Sequence, residues 1–136
     1  MRTFWLTLYA CLFAAVVSAQ SPTIQPTQLQ FTASTDHTGV ITGTSTPLLT
    51  NYTVNVLAGA TQVLTPVSLG KPTPDASNQI VVQLSSIAGF LSLAKNTVYT
   101  ATVAAVGPGG TQASAPSNFF VLVGPPAAPG TPVVKP

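Results

Sequence analysis

Apolar and polar residues alternate with a period of two along most of the chain from residue 27 onwards. In the clearest run, Tyr99, Ala101 and Val103 alternate with Thr100 and Thr102. An extended chain points successive side chains to opposite faces, so this pattern predicts β-strands with one buried face. Seven segments are predicted as strands, at residues 28–33, 40–46, 51–56, 61–69, 79–84, 98–106 and 119–123.

Residues typical of turns separate these segments. Residues 36–39, 70–75 and 107–110 are rich in Gly, Pro and Asp and predict loops. Residues 85–93 lack the alternation, and their apolar side chains could form a single helical turn or a packed loop. Many short strands joined by turns predict an all-β fold, which we expect to be a seven-stranded antiparallel sandwich of two sheets.

The first 19 residues have the layout of a secretory signal peptide. Arg2 gives a short positive region, residues 4–17 are apolar, and Val17 and Ala19 occupy the positions that signal peptidase reads. We therefore expect cleavage after Ala19 and a protein that is secreted or held at the cell surface.

Two alternatives to this cleavage stay open. An uncleaved anchor would need a longer run, since a spanning helix takes roughly 20 apolar residues. The stretch Leu-Tyr-Ala-Cys that ends at Cys11 resembles a bacterial lipoprotein box, which would make Cys11 the acylated first residue. The apolar run continues past Cys11, however, which favours cleavage after Ala19 and leaves no membrane span in the mature chain.

The mature chain is expected to hold one domain. Residues 20–26 are rich in Pro, Thr and Gln and predict a flexible leader, whereas the alternating segments fill residues 27–124. Residues 125–136 are rich in Pro and predict a tail or linker. One domain suits this length, because domains cluster near roughly 100–150 residues.

Charged side chains are rare beyond residue 19. That part has no Arg, Glu, Cys, Met or Trp, and three lysines against two aspartates give a net charge of +1. Nucleic-acid binding needs clustered Lys and Arg, so we do not expect it. Acid–base, nucleophilic and metal chemistry need several converging ionisable groups. We therefore expect no enzyme activity, no metal site and no cofactor.

Residues 93–99 resemble the E–F corner of fibronectin type III domains. That family has a Leu, a Gly-like turn position and then Thr-x-Tyr, as Leu93, Asn96 and Tyr99 have here. The resemblance implies that Tyr99 buries its ring while its hydroxyl bonds the backbone upstream, and that Leu93 fills the core of the corner. Asn96 can replace Gly because Asn tolerates positive φ. Tyr52, in the third predicted strand, is expected in the core as well.

The resemblance covers residues 26–124, nearly the whole mature chain. It implies the fold of a fibronectin type III domain, a member of the immunoglobulin-like superfamily of sandwiches. The Trp that is usual in the second strand of that family is absent from residues 40–46. A more general immunoglobulin-like sandwich therefore stays open.

Three short motifs suggest chemistry, and each has a simpler structural explanation. Ser92 and Lys95 resemble the Ser-x-x-Lys of penicillin-recognising enzymes, but the other elements of that family are absent, so Lys95 is expected to face solvent. Asp36 and His37 have no second His, Cys or Glu to complete a metal shell and are expected in an exposed turn. Residues 107–110 stand between two strands, whereas a phosphate-binding loop needs a helix behind it.

Asn51 begins an Asn-Tyr-Thr sequence, which is an acceptor for N-glycosylation in secreted proteins. If Tyr52 points into the core, Asn51 and Thr53 face outwards, so the geometry would permit a glycan. Whether the sequence is used depends on the source organism.

The function expected from these features is that of a non-catalytic, fibronectin type III-like module for binding, adhesion or spacing at a cell surface or in an extracellular assembly. The alternative is a carbohydrate-binding or cell-wall accessory module, although exposed Trp and Tyr, the usual sugar platforms, are poorly supplied. The expected partner is an extracellular protein or polysaccharide. The candidate binding loops carry Asp36, His37, Lys71, Asp75 and Pro108.

Overall fold

The computed structural model describes residues 20–128 and residue 130. The predicted signal peptide with Cys11, and most of the predicted tail beyond residue 128, lie outside this range. The described chain is all-β, as predicted, with two short 3-10 turns at Leu84–Ser86 and Phe90–Ser92. Its nine strands are β1 (Thr23–Ile24), β2 (Gln28–Thr32), β3 (Asn51–Ala58), β4 (Thr61–Gln62), β5 (Val67–Gly70), β6 (Gln79–Gln83), β7 (Val98–Gly107), β8 (Gly110–Ala113) and β9 (Phe120–Val121).

The strands form one large sheet and one small sheet. The large sheet has the order β1-β9-β7-β3-β4, with β5 also paired to β3 and β8 also paired to β7. The small sheet consists of β2 and β6, which are antiparallel. The expectation of a purely antiparallel arrangement is wrong, because β1 runs parallel to β9 at the edge of the large sheet.

The period-two pattern of the sequence places the core between these sheets. On β3, Tyr52, Val54 and Val56 are buried, and they face residues of β7 in register, such as Val103 opposite Val54. Two apolar clusters fill the interior, and Leu29 of β2 packs against both of them. The larger cluster consists of Val54, Val56, Leu84, Ile87, Phe90, Leu93, Tyr99, Ala101, Phe120 and Leu122.

Residues 40–46, predicted as a strand, form turns instead. The Ile41 N–H donates to the Thr46 carbonyl, and the Thr44 N–H donates back to the Ile41 carbonyl. A single bridge joins Val40 to Pro47. The side chains of this stretch are exposed, so its alternation has no buried face to stabilise a strand.

Residues 61–69 were predicted as one strand but contain β4 and the start of β5. Pro66 lies in the break between them, where it cannot donate a hydrogen bond to the ladder. The two short strands therefore pair with different parts of β3.

Strands β1 and β8 lie outside the predicted strands. The Thr23 N–H donates to the Phe119 carbonyl, so residues 23–24 join the large sheet where the sequence predicted a leader. β8 forms a hairpin with β7 around Pro108 and Gly109. The glycines and the proline there predict the turn, but the sequence did not predict the strand that follows it. Within residues 20–128, no helix is long and apolar enough to cross a membrane.

Candidate functional site

Tyr99 anchors the corner between the two sheets. Its ring is 2% exposed, and its hydroxyl donates to the Ala94 carbonyl, five residues upstream, at 2.9 Å. Leu93 is buried beside it in the larger cluster. Asn96 has a φ of +60°, and its N–H donates to the Leu122 carbonyl. This turn therefore ties the start of β7 to the segment that follows β9.

Tyr52 occupies the opposite end of the core. Its hydroxyl accepts a hydrogen bond from the Ser34 N–H at 2.9 Å and lies 3.1 Å from Nδ1 of His37. The His37 ring also stacks on the Tyr52 ring, with centroids 5.8 Å apart. His37 is thus half-buried against a core tyrosine, and not fully exposed in its turn as the sequence suggested.

Lys71 lies at this same end of the molecule. Its Nζ donates to the Leu49 carbonyl at 3.0 Å, just before β3 begins. Leu48, the residue before Leu49, is held to the turn that contains Asp36, since its N–H donates to the Gly39 carbonyl. These contacts bring together two loops that are distant in the sequence.

Asp75 and Pro108 complete this end. Oδ1 of Asp75 accepts hydrogen bonds from the N–H groups of Ser77 and Gln79, at 2.8 and 2.9 Å, so the carboxylate shapes its own loop at the start of β6. Pro108 is exposed in the hairpin between β7 and β8. We call this end the loop end; it comprises residues 34–39, 47–50, 71–78 and 107–110.

Asn51 lies at the start of β3, on the face of the large sheet that points away from the core. Asn51 and Thr53 are half-buried, whereas Tyr52 between them is buried. Oδ1 of Asn51 accepts a hydrogen bond from Oγ of Ser68 on neighbouring β5. The amide nitrogen, which is the atom that carries a glycan, is therefore on the outer face.

The structure gives the Ser-x-x-Lys pattern a local structural role. Nζ of Lys95 donates to the Leu91 carbonyl at 3.2 Å, and Lys95 is exposed at the end of the molecule opposite the loop end. Ser92 closes a 3-10 turn through its N–H. Within the described residues, no group of three His, Cys, Asp or Glu side chains comes together.

An open groove beside β2 is a feature that sequence reasoning missed. It has a volume of about 860 Å³. One wall is the edge of β2, the floor includes Ala101, Val103 and Ala105 of β7, and the other wall is formed by residues 110–115 and 117. It reaches the loop end at Asp36. The period-two pattern identifies which side chains face inwards, but it contains no information on where the two sheets leave a gap.

The far wall of the groove is an interrupted strand. Between β8 and β9, Oγ of Ser114 and Oγ of Ser117 accept hydrogen bonds from the N–H groups of Val103 and Ala101, at 3.1 and 3.0 Å. The serine hydroxyls thus replace the backbone carbonyls of a regular ladder. The N–H groups of Ser114 and Ser117 still donate to the carbonyls of Val103 and Ala101, so the segment stays bonded to β7 although it is not a regular strand.

A comparison with protein-family models, with curated proteins and with solved structures finds no match to this chain.

Proposed function

We propose that this chain is a secreted, non-catalytic module with a fibronectin type III-like sandwich fold, which binds a partner through its loop end. The fold part of this proposal is supported by the corner at Tyr99, whose buried ring and upstream hydrogen bond match what the resemblance implies. Packing supports it as well, because β2 and β6 of the small sheet share apolar clusters with β3 and β7 of the large one.

The binding part rests on one observation, the convergence of the candidate loops at a single end. The described chain has five Asp, His and Lys side chains, and four of them lie at the loop end, whereas Lys95 lies at the opposite end. The remaining surface is rich in uncharged hydroxyl and amide groups. Loops that a rigid scaffold presents together are the usual place for binding residues, so a partner at the loop end could contact several of the module's few Asp, His and Lys side chains.

The test is a pull-down with the chain from Gln20 to Pro136, tagged and incubated with the surface and secreted fractions of its own organism. We expect specific retention of one protein or polysaccharide. Lys71→Ala should lower this retention by about tenfold, the effect of losing roughly 1.4 kcal/mol of binding free energy. Lys95→Ala is the matched control, because it removes a similar lysine that also bonds a carbonyl, and it should leave retention unchanged.

Two outcomes would contradict the proposal. A folded chain that retains nothing favours a passive spacer. Equal loss of retention in both lysine variants shows that binding does not depend on the loop end. Circular dichroism of each variant, compared with the wild type, separates loss of binding from loss of fold.

A further inference from the structure

Strand β2 has one edge that no described strand covers. Among the described residues it pairs only with β6. At the two ends of this pairing, the Thr27 carbonyl accepts a hydrogen bond from the Leu84 N–H, and the Ala33 N–H donates to the Asn78 carbonyl. In an antiparallel pair, alternate residues direct their N–H and carbonyl groups to the neighbour. The odd-numbered residues of β2 therefore bond β6, and the intervening residues Gln28, Gln30 and Thr32 direct theirs away from it.

Two of these three residues border the groove. Gln30 and Thr32 line it directly, and Gln28 and Gln30 line a smaller hollow of about 260 Å³ beside Pro26 and Ser117. The backbone groups of these three residues form no hydrogen bond with any residue in the range 20–128. Three donors and three acceptors in a row form a template for one more strand.

The apolar side of β2 is also incompletely covered. Leu29 and Phe31 point inwards and pack against the core, yet they are only half-buried and line the groove. Ile80, which is opposite Phe31 on β6, is 1% exposed. The core therefore lacks side chains on the β2 side, where the floor consists of small residues such as Ala101 and Ala105.

We propose that this groove binds an extended segment of a partner protein, which adds to β2 as a third strand of the small sheet. This proposal rests on the proposed function as a binding module and names the chemistry of the partner. Main-chain hydrogen bonds to Gln28, Gln30 and Thr32 would hold the segment, and alternate side chains would enter the groove.

The lining of the groove defines the partner further. Asp36 is the one charged side chain among its described lining residues, and it lies at the loop end of the groove. The segment that fits is uncharged along its length, has small or β-branched apolar residues at alternate positions, and carries a Lys or Arg where it meets Asp36. A single strand fits better than a second copy of the small sheet, because residues 110–115 wall the groove on its far side.

The test uses the ¹⁵N-labelled chain from Gln20 to Pro136 and a synthetic acetylated peptide amide, Thr-Val-Thr-Val-Thr-Lys, followed by NMR. We expect shift changes centred on Gln28, Gln30, Thr32 and Phe31. Hydrogen exchange at the first three amides should be fast in the free chain and slow in the complex, since the peptide supplies their missing partners. A peptide with Glu in place of Lys should bind about threefold more weakly at low salt, and Asp36→Asn should remove that difference.

The matched variants are Gln30→Pro and Val81→Pro. Gln30 and Val81 are opposite each other, and each directs its N–H to an outer edge of the same two-stranded sheet, but only Gln30 faces the groove. Proline deletes the edge N–H without breaking a ladder bond. Gln30→Pro should weaken the peptide by about tenfold or more, whereas Val81→Pro should leave it unchanged. If Gln30→Pro does not fold, Ala105→Leu blocks the groove floor and should weaken the peptide equally.

Several results would overturn the proposal. These are absence of any shift at millimolar peptide, equal effects of the two proline variants, or slow exchange at Gln28, Gln30 and Thr32 in the free chain. Slow exchange that depends on protein concentration would assign the groove to a second copy, and slow exchange that does not would assign it to another part of the same chain. The pull-down separates the two proposals. If the Gln30→Pro variant still retains the partner, the proposed function stands and the groove is not the binding site. If the wild-type chain retains no partner, the proposed function is refuted, and the peptide titration alone tests the groove.

Discussion

Phe119 and Phe120 are adjacent in the chain but lie in opposite environments. Phe119 is 48% exposed, whereas Phe120 is 7% exposed and packs on Phe90 and Tyr99, with ring centroids 5.8 and 5.7 Å away. The period of two indicates that only one of this pair faces solvent. It does not indicate which, because the register of a short strand is set by its neighbours.

Alanine at these two positions is therefore a matched pair of substitutions. Phe120→Ala should lower the free energy of unfolding by about 3–5 kcal/mol, because it leaves a cavity in the larger cluster. Phe119→Ala should change it by no more than about 0.5 kcal/mol, as expected for a surface position. Urea unfolding monitored by circular dichroism measures both; similar values for the two variants would mean that the register at β9 is wrong.

Contacts between residues close in the chain differ in origin from contacts between distant residues. Tyr99, Asn96 and Leu93 lie within seven residues, and the structure has the Tyr99 hydroxyl bonded to the Ala94 carbonyl, a positive φ at Asn96 and Leu93 in the larger cluster. The contacts of Tyr52 were less predictable. Its burial follows from alternation, but its hydroxyl bonds Ser34, which is 18 residues away along the chain and reaches Tyr52 only through the fold.

At the scale of elements, the hairpin between β7 and β8 shows two glycines with different roles. A Cβ on Gly107 would overlap the carbonyl oxygen of Leu48, whose segment crosses the end of β7. A Cβ on Gly109, two residues further on, would meet no atom within 4 Å. The sequence marks both as turn glycines, and only the packing of the loop end distinguishes them.

Gly107→Ala should therefore lower the free energy of unfolding by about 2 kcal/mol or more, because backbone atoms have to move to admit the methyl group. Gly109→Ala should stay within about 0.5 kcal/mol of the wild type. Thermal or chemical unfolding of the two variants checks this. A neutral Gly107→Ala would show that Leu48 does not approach the hairpin as closely as described.

The strand predictions succeeded where a strand is long and has a buried face. β3 and β7 pair over seven residues, and their alternation is continuous in the sequence. Residues 40–46 alternate too, but they fold into turns because nothing packs on them. β1, in contrast, is a strand that the sequence did not predict. Two residues are too few to show a period, and they pair with β9, which is almost a full chain length away in the sequence.

At the scale of the whole molecule, the two ends of the described chain contribute differently to stability. At the N-terminal end, the Gln25 N–H donates to the Val121 carbonyl, and Nδ2 of Asn118 donates to Oγ1 of Thr23. At the other end, residues 125–128 are exposed and lie outside every strand.

Truncation should reveal this asymmetry. A chain that starts at Pro26 should have a free energy of unfolding about 2 kcal/mol or more below that of a chain that starts at Gln20, because it lacks several hydrogen bonds to β9 and the residues beside it. A chain that ends at Gly124 should keep the free energy of unfolding within about 0.5 kcal/mol of a chain that ends at Ala128. The midpoints of urea unfolding, compared among the three chains, test this prediction. Equal effects of the two truncations would contradict the stabilising role of β1.

The all-β class and the long strands follow from the sequence, because alternation and turn chemistry act over a few neighbouring residues. The roles of Tyr99, Asn96 and Leu93 were instead implied by the resemblance to fibronectin type III domains. Tertiary structure alone decided that the candidate loops meet at one end, that β1 joins the large sheet, and that the edge of β2 opens on a groove. Each of these depends on contacts between distant segments, and on where packing is missing as much as on where it is present. A periodic pattern indicates which side chains face the core, because apolar side chains are more stable away from water. Only the tertiary structure shows where those side chains remain partly exposed.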